Sequence, residues 1–215
     1  MKTAVIIPAA GMSSRMGIQK QLINLNGRPV LAHTLEAFES HPDIDEIIVV
    51  GSKSLAAVTS SFIKVKSLVE GGVNRQESVW QGLCAVSDDV DWVLIHDGAR
   101  PFVSEKVISD VLASGTCAIS GVKSKDTIKI TNKNNIVQET PDRENLWLVQ
   151  TPQGFAHHII KKAHQQAIAD NFIGTDDAML VERMGIPVQM IEGDYRNIKL
   201  TTPDDILIAE LYTRG

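Results

Sequence analysis

Cysteine is scarce in this sequence. Only Cys84 and Cys117 occur in 215 residues, and there is no Cys-x-x-Cys. Two isolated thiols make neither a disulfide framework nor a cysteine-built zinc site, and they suit a reducing compartment. Positive charge is not in excess either: 21 Lys and Arg stand against 26 Asp and Glu, a net charge of −5. Nucleic-acid binders usually carry a basic surface, so that class is disfavoured. A local basic pocket for a small phosphorylated ligand is not, because net charge says nothing about local charge. No apolar stretch approaches the ~20 residues of a membrane span. The first apolar run, Ala4 to Pro8, is too short for a signal-peptide core and runs into a polar, Gly-containing loop. A soluble cytoplasmic protein is expected, with no nucleic-acid or membrane partner. What is present is ordinary: 43% hydrophobic and 22% charged residues, enough for a proper core, in a length that suits one domain.

Short apolar runs alternate with helical periods. Thr3–Pro8, Asp45–Val50, Ser67–Glu70, Asp91–His96, Cys117–Val122 and Val188–Glu192 read as buried strands. Between them, Val30–Phe38, Leu55–Phe62, Glu77–Val86, Glu105–Ala113, Ala156–Ala169, Asp176–Met184 and Asp204–Tyr212 carry a 3.6-residue period. This alternation predicts an α/β fold with a mostly parallel sheet and helices on both faces. Residues 123–145 break the pattern. Thr127–Thr131 and Ile136–Glu139 alternate polar and apolar across Asn132-Lys133-Asn134-Asn135, a hairpin signal. The expectation is one domain, residues 1–215, with a projecting hairpin arm.

Ligands of open α/β sheets bind beyond the carboxyl ends of the strands. After the first strand come Ala9, Ala10 and Gly11, then Arg15 and Lys20. Small residues let a backbone approach an anion, and two cations follow in the same loop. This reads as a triphosphate cradle, against the plainer reading of a tight connection with two solvated cations. Asp97, in His96-Asp97-Gly98-Ala99-Arg100, ends another strand. It suits a Mg²⁺ ligand beside substrate phosphates and equally suits a turn cap. Gly71-Gly72 permits close approach to a flat base, with Ser78 beside it, although a turn and helix cap explain the segment as well. Thr175-Asp176-Asp177 reads as a helix start with Thr175 as N-cap, and Thr202-Pro203 as another. Lys199 by spacing alone reads more readily as a surface lysine. No Walker loop follows any strand, and no Gly-x-Gly-x-x-Gly follows the first. His157, His158 and His164 share a predicted helix but include no i, i+4 pair for a metal.

Taken together, PAAGMSSRM followed by KQ, GGxxRxxSV, HDGARPF, KDTIK, DRxxLW, QTPQGF, GTDD and NIKLTTPDD occur in order. The sequence resembles the 2-C-methyl-D-erythritol 4-phosphate cytidylyltransferases of the non-mevalonate isoprenoid pathway, from about residue 4 to residue 212. The resemblance implies a Rossmann-like fold and a reaction of CTP with methylerythritol 4-phosphate that yields the CDP-alcohol and pyrophosphate. It implies that Arg15 and Lys20 stabilise the transition state and that Arg143 and Lys199 position the acceptor phosphate. It implies Asp97 as the Mg²⁺-associated carboxylate. Ala9, Ala10, Gly11, Gly72, Ser78 and Gly98 correspond to nucleotide contacts, and Thr127, Thr151 and Thr175 to substrate-side threonines. The arm is similar to the family's subunit-exchanged hairpin, which implies a homodimer whose Arg143 serves the neighbouring site. Two departures stand out: the link into Lys20 is short and lacks the usual Pro-Lys-Gln, and Val73 replaces an acidic residue carried by some members.

Two other readings are weighed against this one. A ribitol-5-phosphate cytidylyltransferase shares fold and CTP site, and differs in the acceptor. A nucleotide-binding regulator without catalysis has no physical reason to keep Arg15, Lys20, Arg143 and Lys199 converging, because like charges repel without an anion between them.

Overall fold

A computed structural model describes residues 1–11 and 19–213. In chain order the elements are β1 (Thr3–Pro8), β2 (Asn24–Leu25), β3 (Arg28–Pro29), α1 (Val30–Glu39), β4 (Glu46–Val50), α2 (Ala56–Thr59), β5 (Val65–Val69), α3 (Arg75–Ala85), β6 (Trp92–Ile95) and α4 (Glu105–Ala113). They continue with β7 (Ala118–Lys123), β8 (Ile130–Thr131), β9 (Val137–Glu139), β10 (Trp147–Ala156), α5 (His157–Ala169), α6 (Asp177–Glu182), β11 (Gln189–Glu192) and α7 (Pro203–Thr213). No helix among the described residues is long and apolar enough to cross a membrane.

Seven strands form one sheet in the order β11-β7-β10-β6-β1-β4-β5. The pairs β1–β4, β1–β6, β4–β5 and β11–β7 are parallel, while β10 runs antiparallel to both β6 and β7. The period-2 geometry of a strand sorts β1 between two cores. Ala4 and Ile6 face a cluster with Val79, Leu83, Ile160 and Ala178, from α3, α5 and α6. Val5 and Ile7 face a second cluster with Leu31, Leu35, Val107 and Ile108, from α1 and α4. Helices therefore cover both faces, and every residue of β4 and β6 is buried.

The expected strands and most helices stand within a residue or two of their predicted places. Strand β10 did not show in the sequence reading. Its stretch, Trp147–Ala156, holds Pro152 and Gly154, residues that weaken a strand pattern. The helix expected over Leu55–Phe62 is shorter, a 3₁₀ turn at Lys53–Leu55 followed by α2. The helix expected from Asp176 begins at Asp177, and its cap is Asp176, not Thr175. The Asp176 carboxylate accepts from the Met179 N–H at 3.0 Å. The α7 start follows expectation: the Asp205 N–H points to Thr202 Oγ1 at 3.4 Å, and the Asp205 carboxylate accepts from the Thr202 N–H at 2.7 Å.

The arm hairpin is present and shorter than expected. β8 and β9 pair antiparallel as a sheet of their own. Asn132 organises its turn, its side-chain oxygen accepting from the N–H groups of Asn134 (2.9 Å) and Ile136 (3.1 Å). Asn135 takes a φ of 61°, a region asparagine tolerates better than most residues.

Candidate active site

A cleft of about 520 Å³ opens at the carboxyl ends of β1 and β6. Of the residues singled out in the sequence, Ala10, Gly11, Lys20, Gly72, Ser78, Asp97, Gly98 and Lys199 line it. Ala9 lies just behind, fully buried. Its N–H donates to Val50 O at 2.7 Å, which extends the sheet into the first loop. Arg15, with the short link at residues 12–18, lies outside the described residues. Lys20 opens a 3₁₀ turn, Lys20–Leu22. Gln19 ties that turn to the loop after β4: its Nε2 donates to Ser52 Oγ at 3.3 Å, and its Oε1 accepts from Ser54 Oγ at 2.7 Å.

The Gly71-Gly72 wall is built by close contact. A Cβ on Gly71 would stand 2.2 Å from the Ala10 Cβ, and one on Gly72 would stand 2.3 Å from the Glu77 Cβ. Asn74 caps α3 by accepting from the Glu77 N–H at 2.9 Å, and Glu77 Oε2 accepts from the Val73 N–H at 3.0 Å. This resembles a capping box, except that Glu77 reaches back to the N–H of Val73, one residue before the cap, and so straps the loop to the helix. Ser78 Oγ donates to Asn74 O (2.9 Å) and accepts from the Gly72 N–H (3.1 Å). Its donor therefore shapes the loop, as in the plainer of the two sequence readings. Val73, where some relatives are acidic, is 96% exposed.

Asp97 is the only acidic side chain lining the cleft among the described residues. Arg75 Nε donates to its Oδ1 at 3.1 Å. Lys199 Nζ stands 2.7 Å from Oδ2, and Arg100 Nε 3.8 Å from the same atom. Burial works against the Asp97 carboxylate, yet Arg75, Lys199 and Arg100 outweigh it and hold Asp97 well below the usual carboxylate range. Lys199 is delivered by two buried neighbours. The Leu200 N–H donates to Ala99 O at 2.9 Å, and Asn197 Nδ2 donates to Thr151 O at 2.8 Å. Neither contact could be read from the spacing around Lys199.

Behind Asp97 runs a buried chain of hydrogen bonds. The Asp97 N–H donates to Thr151 Oγ1 at 3.1 Å, and Thr151 Oγ1 lies 3.1 Å from His96 Nδ1. His96 Nε2 lies 3.1 Å from Arg100 O. A carbonyl only accepts, so Nε2 carries the proton, and Thr151 must donate to Nδ1. Burial pushes His96 down to about 4, which keeps this tautomer neutral. Thr151 thus serves Asp97 from beneath rather than facing the open cleft.

Thr127, Arg143 and Thr175 do not line the cleft. All three are exposed, Thr127 on the arm and Arg143 in a 3₁₀ turn at the arm's base. Thr175 Oγ1 contacts Met179 Sδ at 3.7 Å. Arg75 is the residue that the sequence reading left without a role. Its guanidinium spans Asp97 and buried Asp177, with Nη1 2.7 Å from Asp177 Oδ2. The only hint was its place in GGxxRxxSV. The helix histidines go to protein partners: His157 Nδ1 to Val90 O at 3.1 Å and His164 Nε2 to Asp177 Oδ1 at 3.2 Å.

No group of three or more His, Cys, Asp or Glu side chains is placed for a metal among the described residues. A closed zinc site is therefore not formed by them. A single cleft carboxylate does fit a cation such as Mg²⁺, which takes one or two carboxylates and completes its shell with phosphate oxygens and water.

Comparison with known proteins shows the family. The family model for 2-C-methyl-D-erythritol 4-phosphate cytidylyltransferase (IspD) matches residues 3–215. The protein of that name from Geotalea uraniireducens is 47% identical, over 100% of this chain and 98% of its own. That from Caldanaerobacter subterraneus is 42% identical over the whole of both. Among solved structures, the 4-diphosphocytidyl-2C-methyl-D-erythritol synthase of Anaerococcus prevotii superposes with a TM-score of 0.91 at 33% identity, over 100% of this chain and 96% of that one. The Thermus thermophilus cytidylyltransferase gives 0.83 at 34%, over the whole of both. With a family model spanning nearly its full length and relatives this similar, the chain belongs to the 2-C-methyl-D-erythritol 4-phosphate cytidylyltransferase family.

Proposed function

We propose that this protein transfers the cytidylyl group of CTP to 2-C-methyl-D-erythritol 4-phosphate at the cleft around Asp97, with Mg²⁺ and with the residue roles given below. Family membership supports the reaction, and the charge layout of the cleft supports the roles. An anionic oxygen of the acceptor phosphate attacks the α-phosphorus in line. The new P–O bond forms as the bond to the α–β bridging oxygen breaks, and pyrophosphate leaves with that electron pair. The nucleophile is already anionic, so neither a general base nor a covalent enzyme intermediate is needed. What the site must supply is fixed positive charge and alignment.

Lys20 and Arg15 meet the charge that grows on the α-phosphate oxygens. The backbone of Ala10, Gly11, Gly72 and Gly98 leaves room for the nucleotide. Lys199 holds the acceptor phosphate. Asp97 would hold Mg²⁺, which when bound neutralises triphosphate charge and orients its oxygens. Arg75 and Thr151 keep the Asp97 carboxylate in place. The observation that carries this reading is the meeting of Lys20, Lys199 and Asp97 on one cleft walled by two glycine loops.

The hairpin arm joins two copies into a homodimer, and Arg143 and Thr127 of one protomer complete the cleft of the other. Two features support this. Both residues lie away from their own cleft, and the arm exposes Ile130, Ile136 and Val137, an apolar set that a second copy would cover. The chain then acts as one domain with an arm, in the cytoplasm, where its two free cysteines stay reduced.

Pyrophosphate release from CTP with Mg²⁺ tests the activity, run in parallel with methylerythritol 4-phosphate and ribitol 5-phosphate. Turnover is expected with the first acceptor only. Turnover with ribitol phosphate alone would overturn the acceptor assignment, and turnover with neither would overturn the reaction. Removal of residues 127–140 should convert the dimer to monomer in sedimentation; an unchanged dimer refutes the role of the arm.

A further inference from the structure

The Asp97 carboxylate faces three cations that are not held alike. Arg75 is fixed at both ends. Its Nε donates to Asp97 Oδ1 at 3.1 Å, and its Nη1 stands 2.7 Å from Asp177 Oδ2. Asp177 is buried, with His164 Nε2 on its other oxygen at 3.2 Å. Moving Arg75 would strand a buried carboxylate, which is strongly unfavourable. Arg100 is tied to Asn197 O through Nη1 at 2.7 Å and stays 3.8 Å from Asp97 Oδ2. Lys199 differs. Asp97 Oδ2, at 2.7 Å, is its one ion-pair partner among the described residues, and its side chain is 39% exposed. A flexible ammonium on a partly exposed stem can reach water, and Arg75 and Arg100 stay beside Asp97 when it leaves.

The local charge is also unbalanced. Asp97, Asp177, Arg75, Arg100 and Lys199 together carry one positive charge in excess. A divalent cation approaching without an anion meets a repulsive field and an Oδ2 that is already taken.

We propose that Lys199 is a placeholder on Asp97: it occupies Oδ2 in the protein alone, keeps a bare divalent cation out, and gives up that oxygen when the CTP triphosphate arrives, passing to the acceptor phosphate once that substrate binds. Arg75 holds Oδ1 throughout, so the carboxylate keeps its position while one oxygen changes partner. The triphosphate of CTP brings enough negative charge to reverse the field. Cation loading at Asp97 is thereby tied to nucleotide arrival. This inference rests on reading Asp97 as the cation-side carboxylate.

Mn²⁺ serves as the probe, because its free form is counted directly by electron paramagnetic resonance and no turnover is needed. The full chain and its variants Lys199→Met, Lys199→Gln, Asp97→Asn and Asp97→Asn/Lys199→Met are titrated at neutral pH, with and without CTP and without acceptor. Without CTP, both single lysine variants should bind Mn²⁺ at least about tenfold more tightly than the unaltered protein. The double variant should lose that gain. If neither lysine variant binds Mn²⁺ more tightly, or the double variant keeps the gain, the placeholder is wrong. The Asp97→Asn arm with CTP separates the two readings. Unchanged Mn²⁺ affinity there removes Asp97 as a cation ligand altogether. Weakened affinity there, with no gain from the lysine variants alone, removes only the placeholder. Using both Met and Gln guards against a folding effect peculiar to one of them.

Discussion

Replacing Thr151 by valine keeps the shape of the side chain and removes its hydroxyl. That oxygen accepts from the Asp97 N–H and donates to His96 Nδ1, each at 3.1 Å, in a buried setting. The variant therefore leaves one donor and one acceptor without a partner. Each such loss costs about 1–3 kcal/mol, so Thr151→Val should lower stability by roughly 2–6 kcal/mol. For a chain of this size that corresponds to a fall in Tm of roughly 4–24 °C. Asp97 also loses the bond that sets its backbone. A reacting group displaced by ~1 Å can slow turnover by about 10²-fold, so kcat should fall by up to that factor. Thr151→Ser restores the hydroxyl and should recover most of both quantities. Urea denaturation and pyrophosphate release on the three proteins decide the matter. If Thr151→Val matches Thr151→Ser in both assays, the chain of bonds beneath Asp97 does not support the site.

A glycine substitution probes the cleft wall: Gly71→Ala forces a Cβ to within 2.2 Å of the Ala10 Cβ. It should raise KM for CTP about tenfold or more, from a misplaced wall worth over ~1.4 kcal/mol; an unchanged KM refutes the contact. Lys20→Ala should reduce kcat roughly 10²–10³-fold, and a loss under threefold excludes a transition-state role. Burial holds folded His96 at about 4, with Asp97 and Arg100 beside it acting in opposite senses. The unfolded histidine, near 6.5, takes a proton the folded one refuses. The resulting stability is complete above pH ~6.5 and drains as pH falls toward 4, by about 3 kcal/mol. Asp97 and Asp177, held below the usual carboxylate range, stay ionised across that window. Urea midpoints from pH 8 to 4.5 should drop steeply for the unaltered protein and less for His96→Gln; parallel curves contradict the assignment.

Much of the architecture is local and therefore legible in the sequence. Buried strands declare themselves as apolar runs, and helices as 3.6-residue periods, because one face or both must leave water. The small residues after β1, the Gly71-Gly72 pair and the Asp97 strand end are punctuation of the same kind, and Ala10, Gly11, Gly72 and Asp97 among them line the cleft. Strand β10 was hidden because Pro152 and Gly154 weaken its pattern, and only pairing with β6 and β7 makes it a strand. Lys199 looked like a surface lysine because its meaning comes from Leu200 bonding Ala99, about a hundred residues away. Thr151 looked like a substrate contact until the fold set it beneath Asp97.

The sequence by itself determined the family, the α/β alternation, the arm and the residue types that a phosphate site needs. Tertiary structure alone decided which of them meet. It set Arg75 between Asp97 and Asp177, placed Lys199 on the other carboxylate oxygen, and left Thr127, Arg143 and Thr175 outside the cleft. The physical reason is distance along the chain. Periodicity and turn chemistry act over a few residues, whereas a charge cluster is made by segments brought together from residues 75, 97, 177 and 199, and nothing local encodes that meeting.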